Sequence, residues 1–265
     1  MARVELKNEY AAEEVKELIL DVGYAELLVQ ETDTDKITVS VMRNEEKTAS
    51  YRCDLENGML KVNPGNVDIH ISVFGGDKSF KKEELEKDYV LITIPCNKQF
   101  EGVELSIGAG KAKMKNASST YRRAKIEVGA GSVSVDNLQV NGHVDVESGA
   151  GSVELLDFKS TSLDIECGVG KMKLKGSVEG NINMSCGVGT IELDLDAVES
   201  DYNYNISCAV GTVLVNGSKR GGLFANQSIM RNADAKGKIN MNCGVGKIEL
   251  LTRKRLTNIV NISTN

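Results

Sequence analysis

The stretch Leu163-Asp-Ile-Glu-Cys-Gly-Val-Gly-Lys-Met-Lys-Leu174 is followed by a near copy, Ile182-Asn-Met-Ser-Cys-Gly-Val-Gly-Thr-Ile-Glu-Leu193. In both, apolar and polar residues alternate before the two glycines and again after them. Alternation with period two marks a half-buried strand. One copy therefore reads as strand, glycine corner, strand, and then a polar loop such as Lys175-Gly-Ser-Val-Glu-Gly180. Outward from this pair the pattern recurs at 103–114, 125–135, 144–155, 204–215 and 239–250. The first corner residue falls at 108, 129, 149, 168, 187, 209 and 244, so the spacings are 21, 20, 19, 19, 22 and 35. An eighth copy, Leu18–Val29 around Gly23, lies far upstream.

A repeat of this length does not fold alone. Its half-dozen inward side chains contribute roughly 1.5–3 kcal/mol each, whereas ordering its backbone costs roughly 1–2 kcal/mol per residue. Neighbouring copies must cover it and complete its hydrogen bonds, which is the logic of a solenoid. The expected fold is all-β, a single-stranded parallel β-solenoid with coils of about 20 residues stacked at about 4.8 Å.

The columns follow from the phase. Leu105/Ile107, Ile126/Val128, Val146/Ser148, Ile165/Cys167, Met184/Cys186, Ile206/Cys208 and Met241/Cys243 point inward before the corner. The middle corner residue changes from Ala109, Ala130 and Ala150 to Val169, Val188, Val210 and Val245, just where the inward column turns to Cys. This pattern predicts volume exchange within one packed layer, with the Ser148/Ala150 coil the loosest. The second corner glycine is present in all seven copies, whereas Ala209 replaces the first in one. Glycine alone tolerates positive φ freely, so Gly110, Gly131, Gly151, Gly170, Gly189, Gly211 and Gly246 are assigned the left-handed conformation.

Residues 1–100 read as a less regular β region continuous with the solenoid, and 101–265 as the regular part, together one structural domain. Strand-like runs occupy Lys36–Val41, Ser50–Leu55, Met59–Val62, Val67–Val73 and Tyr89–Ile94. The segments Phe74–Lys78 and Lys81–Lys87 read as an excursion, Glu9–Glu17 as a short capping helix, and 217–238 as an insertion. The Arg253-Lys254-Arg255 cluster is expected to protect the last open strand edge.

Composition excludes several classes. A net charge of −6 and pI near 5.2 argue against nucleic-acid binding. No run of 18 apolar residues exists, so no transmembrane span is encoded. Met1–Leu6 lacks the apolar core of a signal peptide. A cytoplasmic location is expected as the chain stands, and a cell-surface or envelope location if an upstream segment precedes it.

The repeated Ile-x-x-Gly-x-Gly-x-[Ile/Leu/Val]-x-[Ile/Leu/Val] pattern, preceded by an irregular region and by Leu91-Ile-Thr-Ile-Pro95, resembles the bacterial putative adhesin family, a domain of unknown function. The resemblance implies a β-solenoid with an adhesive or envelope-related role. It supplies no catalytic residues.

Candidate chemistry is sparse. Gly168-Val-Gly-Lys171 and Gly244-Val-Gly-Lys247 lack the upstream glycine, the Ser/Thr and the helix of a phosphate loop. The residue after the second glycine is never Asp, against calcium-binding nonapeptides. Cys167, Cys186, Cys208 and Cys243 share one repeat position and form either a soft-metal ladder or, as their inward phase favours, packed small hydrophobes. Only His70 and His143 offer imidazole chemistry. Glu127, Glu147 and Glu166 form an outward acidic column, with Lys125, Asp145 and Asp164 beside it and Asn183, Asn205 and Asn240 on later coils. This column is the candidate interaction surface, against the plain alternative of a solvated charged face.

The expected function is that of a non-enzymatic scaffold or adhesin-like interaction protein without cofactor or metal, its partner a protein, a glycan or further copies of itself. The alternatives are a polysaccharide lyase or hydrolase built on a β-helix, and an envelope-stress signalling module. Against the enzyme, neither histidine stands near a repeated carboxylate column in sequence phase and no Arg is expected in any outward column of the regular coils. The insertion brings Lys219, Arg220 and Arg231 but only Asp234 as an acid.

Overall fold

A computed structural model describes residues 3–23, 25–44, 51–64, 89–116, 118–221, 225–229 and 233–253. Among these the chain forms strands with two short 3-10 turns and no α-helix. The alternating sequence accounts for this, because each strand buries one face and leaves the other wet. In Ile182–Cys186, for example, Ile182, Met184 and Cys186 are buried while Asn183 and Ser185 are exposed.

The strands fall into two rows joined through the glycine corners. In the row that precedes the corners, Ile126 lies opposite Val146, Val144 opposite Leu163, and Leu163 opposite Ile182, all in parallel register. In the row that follows them, Val133 lies opposite Val153 and Leu155 opposite Leu174. Equivalent residues of successive repeats thus stack upon one another. The all-β, mostly parallel arrangement is consistent with a β-solenoid.

The stacking order departs from the chain order at both ends. The unit 239–250 lies between 182–193 and 204–215: Met241 is opposite Met184 on one side and Ile206 on the other. The physical reason is side-chain identity. Ile182-Asn-Met-Ser-Cys and Ile239-Asn-Met-Asn-Cys place Ile on Ile, Asn on Asn, Met on Met and Cys on Cys. The upstream copy packs directly against the first regular one, with Leu18 opposite Val103 and Val29 opposite Met114.

Antiparallel strands extend both rows. Arg3–Ala11 pairs with Lys36–Asn44, which pairs with Tyr89–Pro95. Arg52–Glu56 pairs with Met59–Asn63 through a turn at Asn57 (φ 52°) and Gly58 (φ 82°). At the other end Ser218–Gly221 folds back on Thr212–Val215 through Asn216 (φ 49°) and Gly217 (φ 76°). Both are Asn-Gly hairpin turns with positive φ at both central residues. Ala225–Ile229 then lines the outside of Tyr202–Cys208. The expected insertion is therefore an end structure of the two rows.

Several expectations need correction. Glu9–Glu17 is no helix: the strand runs to Ala11 and only Ala12–Glu14 turns. A nine-residue strand pairing outweighs the weak tendency of so short a segment to form a helix. The last strand, Lys247–Thr252, is not an open edge, because it pairs with both Thr190–Leu195 and Thr212–Val215. Arg253 instead binds Asp194 through its Nη2 at 2.5 Å, and Lys254 and Arg255 lie outside the described residues. So do Val67–Val73, Phe74–Lys78 and Lys81–Lys87.

The corner residues are also corrected. None of the seven second glycines has positive φ: among the described residues Gly58 and Gly217 are the glycines that do. Asn97 and Asn137 take positive φ between strands, and Asp157 does so at the bulge within Ser152–Ser160, as short polar side chains allow. The second glycine is required instead by the neighbouring unit against which it stacks. A Cβ on Gly170 would stand 1.9 Å from the carbonyl oxygen of Gly151, and one on Gly189 would stand 2.3 Å from that of Gly170 and 2.7 Å from Cys167 Sγ. The middle corner residues do not pack. Val169, Val188, Val245 and Val210 are 57–66% exposed, and Ala109, Ala130 and Ala150 are exposed too. The expected volume exchange with the Cys column therefore does not occur.

Candidate binding face

The outward side chains of the first row are set by strand phase and register. Glu127, Glu147 and Glu166 lie opposite one another on adjacent strands, and the column continues as Ser185, Asn242 and Ser207. Beside it runs Lys125, Asp145, Asp164, Asn183, Asn240 and Asn205. Charge therefore changes along the stack, from ion-paired, to acidic, to uncharged.

Lys125 answers the repulsion expected between stacked carboxylates. Its Nζ lies 2.6 Å from Glu127, 3.5 Å from Glu147 and 4.0 Å from Asp145. The hydrogen bond to Glu127 leads the causes that push the Lys125 pKa up. Asp145 is held above the usual carboxylate range, first by burial and then by the charge of Glu147. Farther along, Asn183 Nδ2 donates to Asp164 Oδ1 at 2.7 Å, and Asn240 Nδ2 donates to Asn183 Oδ1 at 2.7 Å. These bonds make an amide ladder that ends on a carboxylate.

A shallow concavity of about 640 Å³ lies on this face. Its polar lining is Asp145, Glu147, Asp164 and Glu166 on one side, and the Asn and Ser residues of the last three strands on the other. Glu127 is not part of the lining.

Two further basic side chains, His143 and Arg123, reach this face. His143 shares the outward phase of Asp145; its Nε2 is 3.6 Å from Asp164 and its Nδ1 is 2.9 Å from Ser162 Oγ. Arg123 stands opposite Gly102 and binds Glu17 at 2.6 Å across the gap left by that glycine. The Glu17 hydrogen bond leads the causes that raise the Arg123 pKa. Both contradict the expectation of a face without His or Arg. The omission has a simple origin: the quoted repeats begin at Lys125 and Val144, whereas the strands begin at Thr120 and His143. His70 and Arg231 lie outside the described residues.

Cys167, Cys186, Cys243 and Cys208 form one stacked column and are no more than 2% exposed. Burial pushes the thiols of Cys167 and Cys186 up and that of Cys243 up to about 12. Cys167 and Cys243 donate to the Gly170 and Gly246 carbonyls at 3.2 Å. Among the described residues no group of three His, Cys, Asp or Glu side chains is placed to hold a metal ion. In the end structure, Arg220 lies 3.8 Å from Glu199, and Lys219 and Asp234 are exposed. No described helix is long and apolar enough to cross a membrane.

Comparison with known proteins adds the family. Among solved structures the chain resembles a "putative adhesin" from Bacteroides fragilis NCTC 9343, with a TM-score of 0.47 and 14% identity over 93% of this chain and 97% of that one. It also resembles a "putative lipid binding protein" from Parabacteroides distasonis ATCC 8503, with a TM-score of 0.42 and 15% identity over 94% and 97%. A "putative cell adhesion protein" from Clostridium sporogenes ATCC 15579 gives 0.39 and 16% over 95% and 100%. No curated protein matches the chain. The model of the Toastrack DUF4097 family, a domain of unknown function, matches residues 15–218, and the chain belongs to that family.

Proposed function

We propose that the protein is a non-enzymatic binding scaffold that engages its partner through the outward face of the first row. In this reading the repeats are coils of about 20 residues in a single-stranded parallel solenoid, continuous from residues 1–100 into 101–265 as one structural domain. The carrying observation is the concavity on a repeated face, where carboxylates give way to amides over five strands. Glu147 and Glu166 line it and Glu127 anchors its ion-paired end. An adhesive or envelope-related role accords with the sequence resemblance. The partner is a protein or a glycan.

Asp145 favours one rival reading. A carboxyl group held above its usual range beside Glu147 and near His143 is the contrast that acid–base glycan cleavage uses. Against it, the nearby cations are engaged: Arg123 by Glu17, and Lys125 by Glu127 and Glu147. The test is turnover of pectin, alginate and peptidoglycan fragments by the purified protein. No turnover is expected. Cleavage lost in Asp145→Asn or Glu147→Gln would establish the enzyme instead. For the scaffold, immobilised protein should retain a partner that Glu166→Lys releases; equal retention by both proteins moves the binding surface elsewhere.

A further inference from the structure

We infer that the uncharged part of this face binds a neutral linear glycan of equatorially 1,4-linked pyranose rings, lying along the stack across the strands. The inference rests on the reading of this face as the binding surface and names the class of ligand.

Charge is the first argument. Over Ile182–Cys186, Gly237–Cys243 and Tyr202–Cys208 the concavity is floored by Asn183, Ser185, Asn240, Asn242, Asn205 and Ser207, none of them charged. Such a floor holds no counter-charge for a phosphate or a uronate. At the other end Asp145, Glu147, Asp164 and Glu166 repel anions and accept hydrogen bonds from hydroxyl groups.

Hydrogen-bonding capacity is the second. A primary amide has two N–H donors. Asn183 and Asn240 each use one within the ladder, at 2.7 Å, which leaves the second directed elsewhere and fixes the orientation of the group. Preorganised donors lose less freedom on binding. Amides and hydroxyls in adjacent rows give each ligand ring both a donor and an acceptor, as sugar hydroxyls need.

Spacing is the third. Equivalent side chains recur at the strand separation of about 4.8 Å. Pyranose rings joined by equatorial 1,4 links advance by nearly that distance, so successive rings meet equivalent groups. An extended peptide advances about 3.4 Å per residue and falls out of step with the rows.

The experiment is isothermal titration of the full chain with cellopentaose, chitopentaose and a galacturonate pentamer, alongside a peptide phage library. At least one neutral pentamer should bind with a dissociation constant of about 1 mM or tighter; the two neutral arms decide whether the acetamido group is read. Asn240→Asp and Ser185→Glu should each weaken it about tenfold while lowering the melting temperature by no more than about 4 °C, the cost of one exposed ladder bond or one carboxylate contact. No binding of either neutral pentamer, or equal binding of the galacturonate, overturns the inference. Selection of peptides that Asn240→Asp releases also overturns it, yet leaves the face as the binding surface. Neutral-glycan binding indifferent to both substitutions overturns the face itself.

Discussion

Replacing Gly189 by Ala should destabilise the protein far more than replacing Gly187 by Ala, although the two glycines flank one exposed valine. A Cβ on Gly189 would stand 2.3 Å from the Gly170 carbonyl oxygen, 2.7 Å from Cys167 Sγ and 2.9 Å from the Val169 carbonyl carbon. Two of the three are backbone atoms of the adjacent unit, held by the ladder that includes the Thr190 N–H to Gly170 carbonyl bond at 3.0 Å. They yield only if the two units separate, and overpacking of this kind costs about 1–3 kcal/mol. On Gly187 the closest approach is 2.9 Å, to the Gly168 oxygen, and the next atoms lie at 3.7 Å. That single contact is also with backbone but is longer than the 2.3 Å one at Gly189, and Ala209 occupies the same position in a sister unit. Loss of glycine freedom in the unfolded chain returns roughly 0.4–1 kcal/mol, so Gly187→Ala should fall near zero. At roughly 2–4 °C per kcal/mol for a chain of this size, Gly189→Ala should lower the melting temperature by roughly 2–12 °C and Gly187→Ala by less than about 3 °C. Gly170→Ala, with a 1.9 Å contact, should be the most damaging of the three. Scanning calorimetry at one scan rate ranks them. A Gly187→Ala variant at least as unstable as Gly189→Ala would refute the contact argument.

Other expectations follow from burial. Val188 is 61% exposed, so Val188→Ser should change stability by less than about 0.5 kcal/mol in urea unfolding; a loss above about 1.5 kcal/mol would mean that the corner packs. Among the described residues the buried Ser148 hydroxyl has no hydrogen-bond partner, and it lies beside Cys167 of the next strand, so Ser148→Cys should stabilise by about 1 kcal/mol. Native labelling with a thiol reagent should modify Cys53 and Cys96, which are not buried, and spare the four of the column. The raised thiol pKa values set a pH dependence: the unfolded chain loses these protons above about pH 8.5 while the folded one keeps them. Their contribution is complete below that pH and should fall as pH rises towards 12; stability rising over that range would contradict the burial.

The sequence by itself determined the strands of the regular repeats, their inward faces and the corner positions. Period-two alternation has one solution in which Ile165, Cys167, Met172 and Leu174 are all buried. It also placed Glu127, Glu147 and Glu166 in one column, because equivalent positions of parallel repeats must stack. The Asn57-Gly58 and Asn216-Gly217 hairpins are encoded locally too, as dipeptides that favour positive φ. Tertiary structure decided the remainder. Whether a corner glycine answers to φ or to its neighbour depends on the distance to a carbonyl in another unit, which no local pattern encodes. The placing of 239–250 between 182–193 and 204–215 arises from side-chain matching across distant segments, since a strand joins whichever edge stacks Ile, Asn, Met and Cys best. The approach of His143 to Asp164 and of Arg123 to Glu17 has the same origin. Periodicity fixes which way a side chain points, but only the register between strands fixes what it meets.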